Sequence, residues 1–140
     1  MKTSLITLAL AGASLCGCAA DAPRLSDRAR LQGLWLAHTE SLNGHTKSVD
    51  FQYAFRGDRV TFTDETGKEA TYVFTLDAGR APKLMTIVPD EPGATKVPVS
   101  VAYALDGDSL TIVVAPPGAC PTDLSDKNDQ ELIVCSRKRP

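Results

Sequence analysis

Two histidines and a short acidic turn are the residues of this chain that come nearest to a metal site. His38 and His45 flank one turn region, so a metal bound there would need ligands from distant segments. The run Asp106-Gly107-Asp108 starts like a calcium loop but lacks the further acidic positions and the closing Glu that calcium coordination needs. A hairpin turn is the simpler interpretation, and we expect neither a metal nor a cofactor.

The spacing of the other polar residues does not indicate catalysis. General acid–base chemistry needs carboxyl groups held against a substrate, whereas Asp64-Glu65 and Asp90-Glu91 are adjacent pairs in predicted loops. A serine nucleophile in a nucleophile elbow lies on a sharp turn from a strand to a helix. That context is absent at Ser48, Ser100, Ser109 and Ser125. No glycine-rich phosphate loop precedes a helix. We therefore expect a protein that is not an enzyme.

The first two of the four cysteines lie at the end of a predicted secretion signal, one within it and one directly after it. Residues 5–15 form an apolar stretch that is too short to cross a bilayer and is typical of a signal-peptide core. Leu15-Cys16-Gly17-Cys18 then resembles the bacterial lipobox, with Leu at −3, a small residue at −1 and Cys at +1. The resemblance implies cleavage before Cys18 and lipidation of Cys18 with acyl chains such as palmitate, which anchor firmly. An ordinary secretory signal with cleavage elsewhere is the alternative.

The same resemblance implies a location and a division of the chain. Retention at the inner membrane needs Asp directly after the lipidated Cys, and Ala19 stands there instead. The expected location is therefore the cell envelope, at the periplasmic face of the outer membrane. Residues 1–17 are then the signal peptide, residues 18–25 a lipidated, flexible tether, and residues 26–140 the folded domain.

Cys120 and Cys135 remain as a pair in an oxidising compartment, which favours a disulfide between them. The closed loop would hold about 15 residues, and a loop of that length stabilises a fold by roughly 3 kcal/mol in the chain-entropy model. Two buried thiols are the alternative. Zinc is less favoured because the chain has no C-x-x-C spacing and only two His.

Length and charge limit the classes of protein that fit. A chain of 140 residues with 43% apolar residues has enough core for one folded domain. Its 15 basic and 17 acidic residues give no basic footprint for nucleic acid. We therefore expect a single domain without a nucleic-acid partner.

Apolar and polar residues alternate through most of the chain, which is typical of half-buried strands. The clearest case puts Ala70, Tyr72, Phe74 and Leu76 on one face, and turn signals such as Asn43-Gly44 separate the segments. The predicted strands span residues 35–42, 49–56, 59–64, 69–77, 83–88, 97–105, 110–115 and 130–137. Eight strands joined mostly by short turns predict an all-β, antiparallel up-and-down barrel, because closure removes the unpaired edges. A β-sandwich is the competing architecture.

A short helical turn over residues 26–32 should precede the barrel, with Ser26 as its N-cap and Gly33 as its stop. Trp35, the only Trp of the chain, follows at once. A Trp buries roughly 150–250 Å², so we expect Trp35 to close one end of the barrel. Arg137, near the end of the last predicted strand, is the candidate to cover the indole by a cation–π contact. The alternative is an ordinary core aromatic without a special partner.

Several segments together resemble a family of uncharacterised bacterial secreted and lipoprotein domains with a lipocalin-like barrel. They are residues 31–35 (LQGLW), 55–58 (FRGD), 103–110 (YALDGDSL), 115–118 (APPG), 121–122 (PT) and 132–134 (LIV), which span nearly the whole domain. Gly33-x-Trp35 is also similar to the opening motif of lipocalins, where a basic residue of the last strand covers the Trp, and this supports Arg137. Cys120 departs from the family, in which an Arg often stands there, and the departure supports a local disulfide. The resemblance implies a fold but carries no activity.

The leading expectation is a membrane-anchored lipoprotein whose barrel binds a small apolar ligand without catalysis. If the aromatic faces point inward, six rings line the lumen, namely Phe51, Tyr53, Phe55, Tyr72, Phe74 and Tyr103. The alternatives are an envelope structural or protein-interaction module with a filled barrel, or an enzyme inhibitor. A hollow apolar lumen would favour the ligand carrier, and a filled one would favour the interaction module.

Overall fold

The structure, a computed structural model, describes residues 25–139 as one short helix and eight strands. The lipidation site proposed at Cys18 and the residues before it lie outside the described residues. The elements are α1 (Asp27–Leu31), β1 (Gly33–Leu42), β2 (His45–Arg56), β3 (Arg59–Thr63), β4 (Glu69–Asp77), β5 (Lys83–Pro89), β6 (Val99–Asp106), β7 (Ser109–Val114) and β8 (Glu131–Arg137).

The strands form one closed antiparallel barrel in chain order. Each strand pairs with the next, and β8 returns to pair with β1. The predicted eight-stranded up-and-down barrel is therefore confirmed, and the alternative of two stacked sheets is wrong. Closure gives every strand of the barrel a neighbouring strand on both sides.

Five of the eight strands begin at residues other than those predicted, and for two of them, β2 and β6, the reason is local. β2 begins at His45 rather than residue 49, because Asn43 and Gly44 both have positive φ (49° and 85°) and form a tight turn that pairs Leu42 with His45. β6 begins at Val99 rather than residue 97, after Pro98. Proline has no backbone N–H to donate to a neighbouring strand.

The two ends of the barrel differ. We call the closed end the one that holds α1 and the turns at residues 57–58, 78–82 and 107–108. We call the open end the one with the connections at residues 43–44, 64–68, 90–98 and 115–130.

Helix α1 lies across the closed end and is fixed by its own polar groups. The Ser26 side chain caps it by accepting a hydrogen bond from Ala29 N at 3.2 Å. Asp27 accepts hydrogen bonds from Lys83 Nζ at 2.9 Å and from the Tyr103 hydroxyl at 2.8 Å. Leu31 at the end of α1 is fully buried, so the helix seals this end with an apolar contact as well.

Trp35 closes the same end beneath the helix. Its side chain is fully buried, and its indole N–H donates to the Leu31 carbonyl at 2.8 Å. The guanidinium of Arg137 lies over the ring, 4.3 Å from its centroid. Arg137 also donates to the backbone carbonyls of Gln32, at 2.6 Å, and of Arg30. Through this one side chain, the last strand holds the end of α1 and the residue that leads into β1.

Gly33 is required at this junction for two reasons. Its φ is +119°, a backbone conformation that L side chains rarely adopt. A Cβ at this position would also lie 3.1 Å from Arg137 Nη1. Glycine therefore allows both the turn from α1 into β1 and the close approach of Arg137.

The core is the barrel interior, where inward residues alternate with outward ones along each strand. Its fully buried large side chains lie toward the closed end, namely Leu31, Trp35, Phe55, Phe74, Tyr103 and Leu110. A smaller cluster, Leu84, Ala102 and Val113 with Leu132, lies on the outer face. Residues 120–122 of the long connection lie beside Leu84. The buried Gln130 holds this connection through bonds to Thr122 N, Asp123 and the Ser125 carbonyl.

The predicted disulfide between Cys120 and Cys135 is wrong, because both thiols are free. Cys135 points into the core, opposite Ala37 on β1 and Leu110 on β7. Cys120 is exposed on the connection that follows the outer face. The wall of the barrel lies between the two side chains, and the period-two alternation of β8 decides that Cys135 faces inward.

Candidate functional site

An apolar cavity of about 170 Å³ lies inside the barrel above the packed closed end. Its walls come from strands β2 to β7 and are Tyr53, Phe55, Val60, Phe62, Tyr72, Met85, Ile87, Val101, Ile112 and Val114. The cavity is smaller than the 300–1,000 Å³ of pockets for drug-sized ligands. It is close to an engineered apolar cavity of about 150 Å³ that stays dry and binds benzene. The size therefore fits one small ring or a short alkyl chain.

Three of the six aromatic residues predicted to line the lumen do so, namely Tyr53, Phe55 and Tyr72. Phe51 lies at the mouth, in a groove at the open end. The prediction is wrong for Phe74 and Tyr103, which are buried in the closed end.

Phe74 and Tyr103 are occupied by contacts with α1 and its neighbours. Phe74 packs edge to face on Phe55, with centroids 5.3 Å apart, and the Arg28 guanidinium lies 4.7 Å above its ring. The Tyr103 hydroxyl donates to Asp27. Both side chains do point inward, as alternation required, but they lie at a height that the helix fills. Alternation indicates the face of a residue and not its depth.

Seven cavity residues were not in the predicted set: Val60, Phe62, Met85, Ile87, Val101, Ile112 and Val114. All lie in predicted strands, and a signal for them was available in the same period-two pattern. Most of the seven are aliphatic side chains, which the positions of aromatic residues do not indicate, and Phe62 is the one aromatic ring among them.

Three aromatic rings form a cluster at the mouth of the cavity. The ring centroids of Phe51 and Phe62 are 5.3 Å apart, those of Tyr53 and Phe62 5.4 Å, and those of Phe51 and Tyr53 6.1 Å. The pairs Phe51–Tyr53 and Phe51–Phe62 are edge to face, an arrangement that brings the positive edge of one ring to the negative face of the other. Phe62 borders both the cavity and the groove at the mouth, so the cluster connects the two spaces.

Two carboxyl groups face the interior beside this cluster, and one of them, that of Glu40, does so because β1 contains a bulge. The register of β1 shifts between Ala37 and Thr39 against both β2 and β8. Without this shift, residue 39 would follow Trp35 and Ala37 on the inner face. With it, Glu40 pairs directly with the core residue Ile133 and with Lys47. The bulge therefore turns a carboxylate inward.

Glu131, two residues before Ile133 on β8, lies on the same inner face. Burial raises the pKa of Glu131, the nearby charge of Glu40 raises it further, and Lys47 opposes both effects. Lys47 Nζ lies 3.7 Å from Glu40 Oε2, and the Lys47 side chain is 69% exposed. In the part of the chain that the structure describes, no basic group lies within 4.0 Å of Glu131.

Tyr53 connects the carboxyl pair with the apolar cavity. Burial raises the pKa of its hydroxyl well above the usual range, and Cys135, Glu40 and Glu131 raise it further. No side chain or backbone group within residues 25–139 hydrogen-bonds to this hydroxyl. Burial also raises the pKa of the Cys135 thiol to about 12. At neutral pH both groups keep their protons, so neither is an activated nucleophile.

The histidines and the acidic pairs singled out by sequence do not join this site as catalytic groups. His38 lies at the bulge and contacts Ser136 on the outer face. His45 borders a second groove at the open end, which Glu40 and Glu131 also line. Asp64 caps its own turn by accepting from Thr66 N at 2.8 Å. Asp90 pairs with Arg59 at 2.7 Å. Between residues 25 and 139, no group of three or more His, Cys, Asp or Glu side chains is arranged to hold a metal.

Charge is divided unequally between the two halves of the barrel. The closed half, counted over residues 25–38, 56–60, 77–84, 104–112 and 135–139, carries nine basic and five acidic side chains. The open half, which is the rest of the described chain, carries four basic and eleven acidic side chains. Of those eleven acids, only Glu40 and Asp90 have a described basic partner within 4.0 Å. The open end therefore presents a negative field around the mouth.

Comparisons of this chain with protein-family models, with curated proteins and with solved structures found no match. Within the described residues, no helix has the length and apolar character needed to cross a membrane.

Proposed function

We propose that this protein is a lipid-anchored, non-enzymatic binding protein of the cell envelope that takes a small apolar ligand into its barrel through the open end. The observation that carries the ligand site is the apolar cavity, which is closed below by Trp35 and α1 and bordered above by an aromatic mouth. The anchor rests on the lipobox resemblance at Cys18, and the outer-membrane location rests on Ala19.

The chemistry of the interior supports binding rather than reaction. The cavity walls are almost entirely aliphatic and aromatic carbon, and burial of apolar surface contributes about 25 cal/mol per Å². The buried thiol of Cys135 and the phenol of Tyr53, which lines the cavity, both hold their protons at neutral pH. A ligand of benzene or short-alkyl size therefore finds an apolar site without an activated group beside it.

A blocked cavity tests the ligand proposal. Val114→Phe adds a ring to the cavity wall, and Thr75→Phe adds the same ring to an exposed position outside the barrel. Titration of the full chain with toluene, followed by NMR chemical shifts, should show saturable binding that is lost in Val114→Phe and kept in Thr75→Phe. Equal binding by both variants, or no binding by the unaltered protein, would contradict the proposal.

The anchor is tested separately in cells fed with a labelled fatty acid. Label should enter the unaltered protein and be absent from Cys18→Ser, whereas Cys120→Ser, which removes an exposed thiol of the folded domain, should keep it. Label in Cys18→Ser would contradict the anchor and leave the ligand proposal untouched.

A second candidate, a protein-interaction module, is favoured by one observation on the outer surface. Residues 97–100 and 115–120 form an apolar groove. Two of its lining side chains, Val97 and Val99, are 58% and 43% exposed. Exposed apolar surface of this kind often marks a protein contact. If toluene does not bind, this groove becomes the better candidate.

A further inference from the structure

We propose that the ligand is an organic ammonium ion bearing one small apolar group, with the apolar group in the cavity and the ammonium against Glu40 and Glu131 at the mouth. This inference deepens the proposed function and rests on it. It adds the charge and the chemical class of the ligand, which an apolar cavity alone leaves open.

The carboxyl pair is the first observation. Glu40 faces inward only because of the bulge in β1, and it points to the same face as Glu131 on the neighbouring strand. Two basic side chains of β2, Lys47 and His45, line the same groove as the pair. Lys47 pairs with Glu40 while remaining largely exposed. The two carboxyl groups lie close enough for a hydrogen bond between them, which adds to the rise in the pKa of Glu131. A charged group that is partly removed from water needs a partner of opposite sign, and a bound cation supplies it.

The aromatic cluster is the second and independent observation. Phe51, Tyr53 and Phe62 lie between the carboxyl pair and the cavity. Aromatic faces attract ammonium groups through their negative charge density. Tyr53 lines the cavity. Its hydroxyl has no hydrogen-bond partner among the described residues and is reached by solvent, since no buried side-chain polar atom there lacks a partner. Its oxygen is therefore free to accept a bond from an ammonium N–H. Carboxylates, rings and a phenol oxygen thus converge where the cavity meets solvent.

The charge of the open half is the third observation, and it argues against anionic ligands. The open half carries eleven acidic and four basic side chains, so cations are attracted to this end of the barrel and anions are repelled. A carboxylate carried by a ligand would meet Glu40 and Glu131 at close range, where like charges destabilise one another. The same apolar group should therefore bind best with an ammonium, less well with a hydroxyl and worst with a carboxylate.

Three probes of one shape separate this inference from the proposed function. The full chain is titrated at pH 7 with 2-phenylethylamine, 2-phenylethanol and phenylacetate, with NMR shifts or calorimetry as the readout. We expect the amine to bind at least about tenfold more tightly than the alcohol, and the acid more weakly than the alcohol. In the double variant Glu40→Gln, Glu131→Gln, the advantage of the amine should fall below about threefold, while the affinity for the alcohol stays the same.

A matched control keeps the test specific to the carboxyl pair. Glu91→Gln removes one acidic charge from an exposed position of the open half that is outside the mouth, and it should keep the preference for the amine. Gln has the shape of Glu, and near-UV circular dichroism of the buried Trp35 reports whether each variant has folded.

The outcomes separate the two proposals. Equal affinities for the three probes would overturn the ammonium inference and leave the apolar site standing. A preference for the amine that survives in the double variant would also overturn the inference, because the carboxyl pair would not be its source. If none of the probes binds while toluene does, the inference fails alone, and if toluene fails as well, the proposed function fails with it.

Discussion

The closed and open ends of this barrel use the same strands for opposite purposes. At the closed end Asp27, Arg137 and the Trp35 indole N–H all have partners, and the apolar side chains around them are fully buried. At the open end, among the described residues, Glu131 has Glu40 and no basic group as its partner, and the Tyr53 hydroxyl is open to solvent without a hydrogen bond. A polar group that is satisfied within the fold stabilises it, whereas one left unsatisfied is available to a ligand. We therefore propose that the closed end stabilises the fold and that the open end binds the ligand.

The largest expected effect comes from removing the plug of the closed end. Trp35→Ala should lower the free energy of unfolding by about 3–5 kcal/mol, because it leaves a large cavity in a fully buried site. Urea unfolding followed by circular dichroism measures it. Phe51→Ala at the half-buried mouth is the matched test of the open end, and we expect it to cost clearly less. Similar losses at the two ends would break the comparison.

Arg137→Lys tests whether the closed end depends on the shape of the side chain as well as its charge. Lysine keeps the charge but loses the planar fork that reaches the Gln32 and Arg30 carbonyls while lying over Trp35. We expect a loss of about 2 kcal/mol in urea unfolding, since hydrogen bonds from charged groups contribute about 1.5–3 kcal/mol each. Lys138→Arg, at the exposed neighbouring position, should change stability by less than about 0.5 kcal/mol.

Asp27 gives the closed end a defined pH dependence. Burial alone would raise the pKa of Asp27, but the bonds from Lys83 and Tyr103 outweigh it and hold the pKa below the usual 3.8. A carboxyl group whose pKa is lower in the folded state stabilises the fold above its unfolded-state pKa, and this contribution is lost as pH falls through the folded-state value. Asp27→Asn should therefore cost about 1–2 kcal/mol at pH 7. The difference from the unaltered protein should shrink below pH 3.8.

Glu131 should show the opposite sign and the smallest effect. Burial raises its pKa, so its charged form is less favourable in the folded protein than in the unfolded chain, and its cost appears as pH rises through that pKa. Glu131→Gln should leave the free energy of unfolding at pH 7 unchanged or slightly higher, within about 0.5 kcal/mol. A clear loss of stability would show that Glu131 supports the fold and would remove the contrast with Asp27.

The closed end could be derived largely from the sequence. Ser26, Gly33, Trp35 and Arg137 each carry a local signal, namely a cap residue, a flexible turn, the single large indole and a basic group at the end of the last strand. Ser26, Gly33 and Trp35 lie within a few residues of one another in the chain. Arg137 is the direct partner of Trp35 in the pairing of β1 with β8. The structure brings them together with the geometry that such residues require.

The candidate site was less accessible to sequence reasoning. The inward faces of the strands were predicted, and Tyr53, Phe55 and Tyr72 do line the cavity. Phe74 and Tyr103 were assigned to it wrongly, because period-two alternation carries no information about height along the barrel. Glu40 was missed because it is the bulge that turns this residue inward.

The sequence by itself determined that alternate residues build an antiparallel barrel with one end sealed by α1 and Trp35, because alternation, caps and turns are properties of neighbouring residues. Tertiary structure alone decided that Glu40 joins Glu131 inside the mouth, and that Cys120 and Cys135 lie on opposite sides of the wall. The physical reason is that β1 must match β2 and β8 at once, and the register that satisfies both is fixed by pairing between strands far apart in the chain.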